Sequence, residues 1–108
     1  MKLLSEGVYY YKYGGSDRTK SFFVELNQRL NSSCDIIIDL LESPSISKDF
    51  WADMGVFQQK IEAQGNTVVL VVGTIQLEEA TDTIPKVPTL QEAEDYIAFE
   101  RIQRDLGL

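Results

Sequence analysis

The chain has 108 residues, 44% hydrophobic and 25% charged, a balance that suits one globular domain spanning 1–108 and neither a disordered segment nor a membrane protein. Its 17 acidic and 10 basic residues leave a net charge of −7, which repels phosphodiester backbones and anionic lipid, so no nucleic acid and no membrane surface is expected as a partner. With no histidine and a single cysteine, Cys34, the sequence excludes an intramolecular disulfide, a Cys-rich zinc site and every Ser-His or Cys-His dyad.

Val8 to Tyr13 reads Val-Tyr-Tyr-Tyr-Lys-Tyr, aromatic and β-branched enough for a strand, and Leu3-Leu4 before Glu6-Gly7 can pair with it as a short hairpin. Gly14-Gly15 breaks that strand. Ser16 or Asp17 offers an N-cap oxygen, and Phe22 or Phe23, Leu26 and Leu30 recur at helical spacing, so a first helix is predicted over about Asp17 to Leu30. Asn31-Ser32-Ser33 leads into a continuously apolar strand through Ile36-Ile37-Ile38-Asp39-Leu40-Leu41, at whose start Cys34 reads as an inert core thiol.

A serine-studded turn from Glu42 to Lys48 follows, and Ser47 is placed to cap a second helix. Phe50, Met54, Phe57 and Ile61 form the core stripe of that helix, and Gly65 stops it. Thr67 to Val72 is the next apolar strand, which completes a strand–turn–helix–strand unit. Its longest apolar run, Val68–Val72, is far below the ~20 residues that span a bilayer.

Thr74 to Thr83 is a weak helical segment through Leu77, Glu78 and Glu79, and Ile84-Pro85-Lys86-Val87-Pro88 is an edge strand at most, because proline cannot donate to a ladder. Thr89-Leu90-Gln91-Glu92 is a capping box that opens a last helix carrying Ala93, Tyr96, Ile97, Phe99, Ile102 and Leu106. On it, Glu100 and Arg104 are spaced as an i,i+4 ion pair. Met1-Lys2-Leu3-Leu4 passes at once into Ser5 and Glu6 without a hydrophobic signal core, and a cytoplasmic location is expected. The fold class is α/β: a mixed sheet of four or five strands with helices mainly on one face.

This order resembles the STAS fold of bacterial anti-sigma-factor antagonists and sulfate-transporter tails. Members typically carry a strand ending in Asp-Leu-Ser, then an apolar residue and Asp-Ser-Ser-Gly-Leu, then a helix closed by glycine. Asp39-Leu40-Leu41, Ile46 and Gly65 fall on those landmarks without a gap. Gly15-Ser16-Asp17 is similar to the start of the family's first helix, and Thr89-Leu90-Gln91-Glu92-Ala93 to the Ser-x-x-Glu-Ala opening of its last.

The departures lie in the motif. In register, Ser47 stands at the motif aspartate, Lys48 at the first serine, Asp49 at the serine that a partner kinase phosphorylates, and Phe50 at the glycine. Asp49 would thus hold permanently about one negative charge, where phosphoserine carries about 1.5 to 2. The segment from Thr74 to Pro88 is also shorter than the family's third helix and its connection, which reduces one wall of the usual partner groove.

The resemblance implies a non-enzymatic regulatory module whose partner is an anti-sigma factor or kinase. The candidate contact residues are Ser43, Ser45, Ser47, Lys48, Asp49, Trp51 and Asp53, on an exposed turn and helix start. Each has a plainer reading: Ser43 and Ser45 as turn residues, Ser47 or Asp49 as a cap, and Trp51 as a peripheral core side chain instead of a binding hot spot. The carboxylates Glu78-Glu79, Glu92-Glu94-Asp95 and Asp49-Asp53 read as solvated faces, so no catalytic residue, metal ligand or cofactor is expected. An alternative use of such a domain is as a structural subunit of a transport or signalling assembly, for example a lipid-transport complex. Tyr96, Phe99, Ile102 and Leu106 would then offer a docking or homodimer surface.

Overall fold

A computed structural model describes residues 2–14, 19–43, 46–73 and 83–107. The predicted apolar runs form the centre of one sheet. In chain order the elements are β1 (Lys2–Ser5), β2 (Val8–Lys12), α1 (Thr19–Asn27), a 3-10 turn (Leu30–Ser32), β3 (Asp35–Asp39), α2 (Lys48–Ala63), β4 (Val68–Val71), β5 (Lys86–Val87) and α3 (Leu90–Asp105). The five strands lie in the order β1-β2-β3-β4-β5. β1 is antiparallel to β2 and every other pairing is parallel, so the sheet is mixed, as expected.

Alternation along the central strands divides the core into two layers. Tyr11, Ile36, Ile38, Leu40, Leu70 and Val72 face α1 and α2, whereas Val8, Ile37, Val69 and Val71 face α3. This is why β3 and β4 are apolar without interruption: each is covered on both faces. Among the described residues, α1 and α2 lie on one face and α3 lies on the other. On the α1–α2 side, the predicted stripe of Phe50, Met54, Phe57 and Ile61 is fully buried. Phe50 there meets Tyr13 and Phe23 with ring centroids 4.6 and 5.3 Å apart, within the range where aromatic contact adds to simple burial.

The hairpin between β1 and β2 turns at Gly7 (φ +71°), and α2 ends where Gly65 takes φ +80°, as the stop signal predicted. Thr89 Oγ1 accepts the Glu92 N–H at 3.1 Å, so the predicted cap of α3 forms. Lys86–Val87 is an edge strand two residues long, bonded to β4 on one side.

Two expectations are corrected. The first helix ends at Asn27, short of Leu30, because the Gln28 and Arg29 N–H groups bond i−3 carbonyls and tighten the chain into the 3-10 turn. Ser33 at φ 50° then swings it into β3. Arg104 does not pair with Glu100 as its spacing suggested. Its guanidinium reaches Asp35 at 3.0 Å and the Gly65 carbonyl at 2.7 Å, because a carboxylate only 1% exposed draws a cation far more strongly than a solvated one. Gly15, Ser16, Asp17, Ser45 and the segment 74–82, with its expected helix, lie outside the described residues.

Candidate functional site

At the C-terminal end of β3 the chain leaves the sheet between β2 and β4, the place where a parallel α/β layer presents its loops. Asp39 shapes the exit. Its Oδ1 accepts the Leu41 N–H at 2.8 Å, and its other oxygen takes a hydrogen bond from the Tyr10 hydroxyl. Burial, reinforced by that bond and by the negative charge of Asp39, pushes the Tyr10 phenol up to about 12. Beside them Lys12 and Glu42 form an exposed ion pair at 2.9 Å.

The turn is pinned at both sides. Ser43 is fully buried and donates its hydroxyl to the Tyr13 carbonyl at 2.7 Å. Ile46 enters the core beneath α1 and α2. Ser47 then caps α2 by accepting the Phe50 N–H at 3.1 Å, and its own backbone is extended, as a cap requires. Ser47, Lys48 and Asp49 are exposed. Asp49 lies in the first turn, where the helix dipole favours negative charge.

The structure therefore separates the predicted contact residues. Ser47, Lys48 and Asp49 form one exposed knuckle, with Asp53 half-buried a turn further along α2. Ser43 is withdrawn from that surface by its bond to Tyr13, so it is a turn anchor and not an accessible hydroxyl. Trp51 follows the plainer of its two readings. It is 9% exposed and packs edge-on against Phe50 at 5.4 Å, which makes it a rim residue of the core. It lies about 100° round the helix from Phe50, and the core layer wraps far enough round α2 to cover it too.

A second polar constellation escaped the sequence reading. Asp35 accepts Arg101 Nε at 2.7 Å, Arg104 at 3.0 Å and the Thr67 N–H at 2.8 Å. Arg101 also donates to the Glu6 carbonyl at 3.0 Å. The cluster thus ties the end of α3 to the starts of β3 and β4 and to the β1–β2 turn. A helical signal did exist, since Arg101 and Arg104 fall on the same inward side of α3 as Ala93 and Ile97.

Among the described residues no group of three or more His, Cys, Asp or Glu side chains is arranged to hold a metal, and no helix is long and apolar enough to cross a membrane. Cys34 is 2% exposed and burial pushes its thiol up, which removes it as a nucleophile.

This arrangement, a mixed sheet with a charged helix start beyond its central parallel strand, is the STAS fold. The chain superimposes on the crystal structure of a Thermotoga maritima protein assigned as a candidate anti-sigma factor antagonist, with a TM-score of 0.72. The match covers 89% of this chain and 92% of that one at 15% sequence identity, so the likeness is one of fold. No protein-family model matches the sequence, and no curated protein sequence matches it at a significant level.

Proposed function

We propose that this chain is a cytoplasmic, non-enzymatic regulatory module of the anti-sigma-factor-antagonist type, which binds a kinase-type anti-sigma factor through the turn and helix start at residues 43–53. The observation that carries this reading is the exposed Ser47-Lys48-Asp49 knuckle at the first turn of α2. There the resemblance puts a phosphorylatable serine, and this chain has Asp49. The helix dipole favours negative charge at this position, and a carboxylate, unlike a phosphate, is neither added nor removed by an enzyme. Partner affinity would be set by that fixed charge and not by a phosphorylation cycle.

The test is a pull-down against the kinase-type anti-sigma factors of the source genome. Asp49→Ser is expected to change binding and Asp49→Lys, with the opposite charge, to abolish it. Binding that neither substitution alters would end the proposal.

A second reading, a structural subunit of a transport or signalling assembly, is favoured by the outward apolar stripe of α3. Phe99, Ile102 and Leu106 are more than half exposed there.

A further inference from the structure

The sheet separates two surfaces that complement each other. On one side α1 and α2 leave a groove of about 360 Å³ between them. Phe23 and Phe57 form its floor, and Val24 and Val56 line it while 62% and 52% exposed. Lys20 from α1 and Lys60 from α2 flank the valines, and Asp53 is the acid among the described lining residues, so the groove is locally positive on a chain of net charge −7.

On the opposite side α3 turns outward an apolar stripe of Phe99, Ile102 and Leu106, at spacings of three and four and 57%, 56% and 68% exposed. Glu92 and Asp95 continue that stripe toward the helix start, and both are exposed. The two cations of α3, Arg101 and Arg104, are drawn inward to Asp35, which leaves the outward face with acids alone. Aliphatic side chains between lysines on one face thus answer apolar side chains beside carboxylates on the other.

We propose that the chain self-associates head to tail, the α3 stripe of one copy lying in the α1–α2 groove of the next. The apolar residues supply burial, and Lys20 and Lys60 set against Glu92 and Asp95 supply register and orientation. The two surfaces are on opposite faces of the sheet, so one contact leaves a free groove at one end of the pair and a free stripe at the other. Such a heterologous contact propagates into open chains instead of closing as a symmetric dimer. It engages the flank of α2 and not its exposed first turn, so it stands or falls separately from partner binding at Asp49.

Sedimentation velocity on the purified full chain tests this. The mean mass is expected to rise with concentration past that of a dimer and to fall on addition of sodium chloride, which screens the lysine–carboxylate contacts. Val56→Glu blocks the groove and Phe99→Lys blocks the stripe, and each variant alone is expected to lose every species heavier than the monomer. An equimolar mixture retains one intact groove and one intact stripe, and should form a mixed dimer and nothing larger. Val24→Glu with Ile102→Lys, also at exposed positions, is a second pair with the same expected outcome. A wild-type chain that stays monomeric at its highest soluble concentration would overturn the proposal. So would a wild-type dimer that these substitutions leave intact, or mixtures of both variant pairs that fail to associate.

Discussion

Asp35 shows most directly how one residue can hold distant parts of the chain. It is 1% exposed, yet it has two arginines and a backbone N–H as partners, so its charge is neutralised and its oxygens are occupied. The side chains of Arg101 and Arg104 are 37% and 32% exposed and can turn to water, so removing the carboxylate strands chiefly the Thr67 N–H. Asp35→Ala is therefore expected to lower the unfolding free energy by about 1–3 kcal/mol in urea titrations. Asp35→Asn should cost less, because an amide oxygen still accepts from Thr67.

Tyr10 offers a pH-dependent counterpart. Its phenol is raised from 10.0 to about 12 in the folded chain, so folding favours the protonated form. That contribution is fully present below pH 10 and is lost as pH rises from there through about 12. Urea titrations between these limits should show Tyr10→Phe losing less stability with rising pH than the unsubstituted chain.

Within single elements, local signals govern the ends and tertiary packing governs the faces. Ser47 supplies the one side-chain cap of α2, at a position where the chain has just left a turn pinned by Ser43 and Ile46. Ser47→Ala should cost about 1 kcal/mol of thermal stability, a loss that Ser47→Asp restores. At the far end of α2, Gly65 sits at φ +80° with open space where a side chain would project. Gly65→Ala is thus penalised by backbone conformation alone, at about 1–2 kcal/mol. A melting-temperature shift of that order, without loss of the fold, is the expected outcome.

Across the whole molecule the two layers are held unequally. α2 buries six side chains, among them Phe50, Met54, Phe57 and Ile61, whereas α3 buries only Ala93 and Ile97. The arginine cluster on Asp35 makes up part of the difference by fastening the last turns of α3 to three separate strand ends. Amide hydrogen exchange is expected to show α3 opening more readily than α2, and Asp35→Ala should widen that gap by loosening α3 first. Equal protection of the two helices would mean that the α3 layer is held by more than these contacts.

The sequence by itself determined the elements whose cause is local. Apolar runs flanked by turn residues marked β3 and β4, the i, i+4, i+7 stripe marked the buried side of α2, and Ser47, Gly65 and Thr89 marked helix ends through hydrogen bonds reaching only a few residues. It also placed Lys48 and Asp49 on an exposed helix start. The tertiary structure alone decided which side chains meet across the fold. Asp35 and Arg104 are 69 residues apart and Ser43 and Tyr13 are 30 apart, so no short-range pattern announces either contact. The coverage that buries Trp51 likewise depends on how far the core layer extends around α2. Local preferences are fixed by neighbouring backbone and side chains, whereas the need to neutralise a buried charge or cover an aromatic ring arises only once the layers have closed.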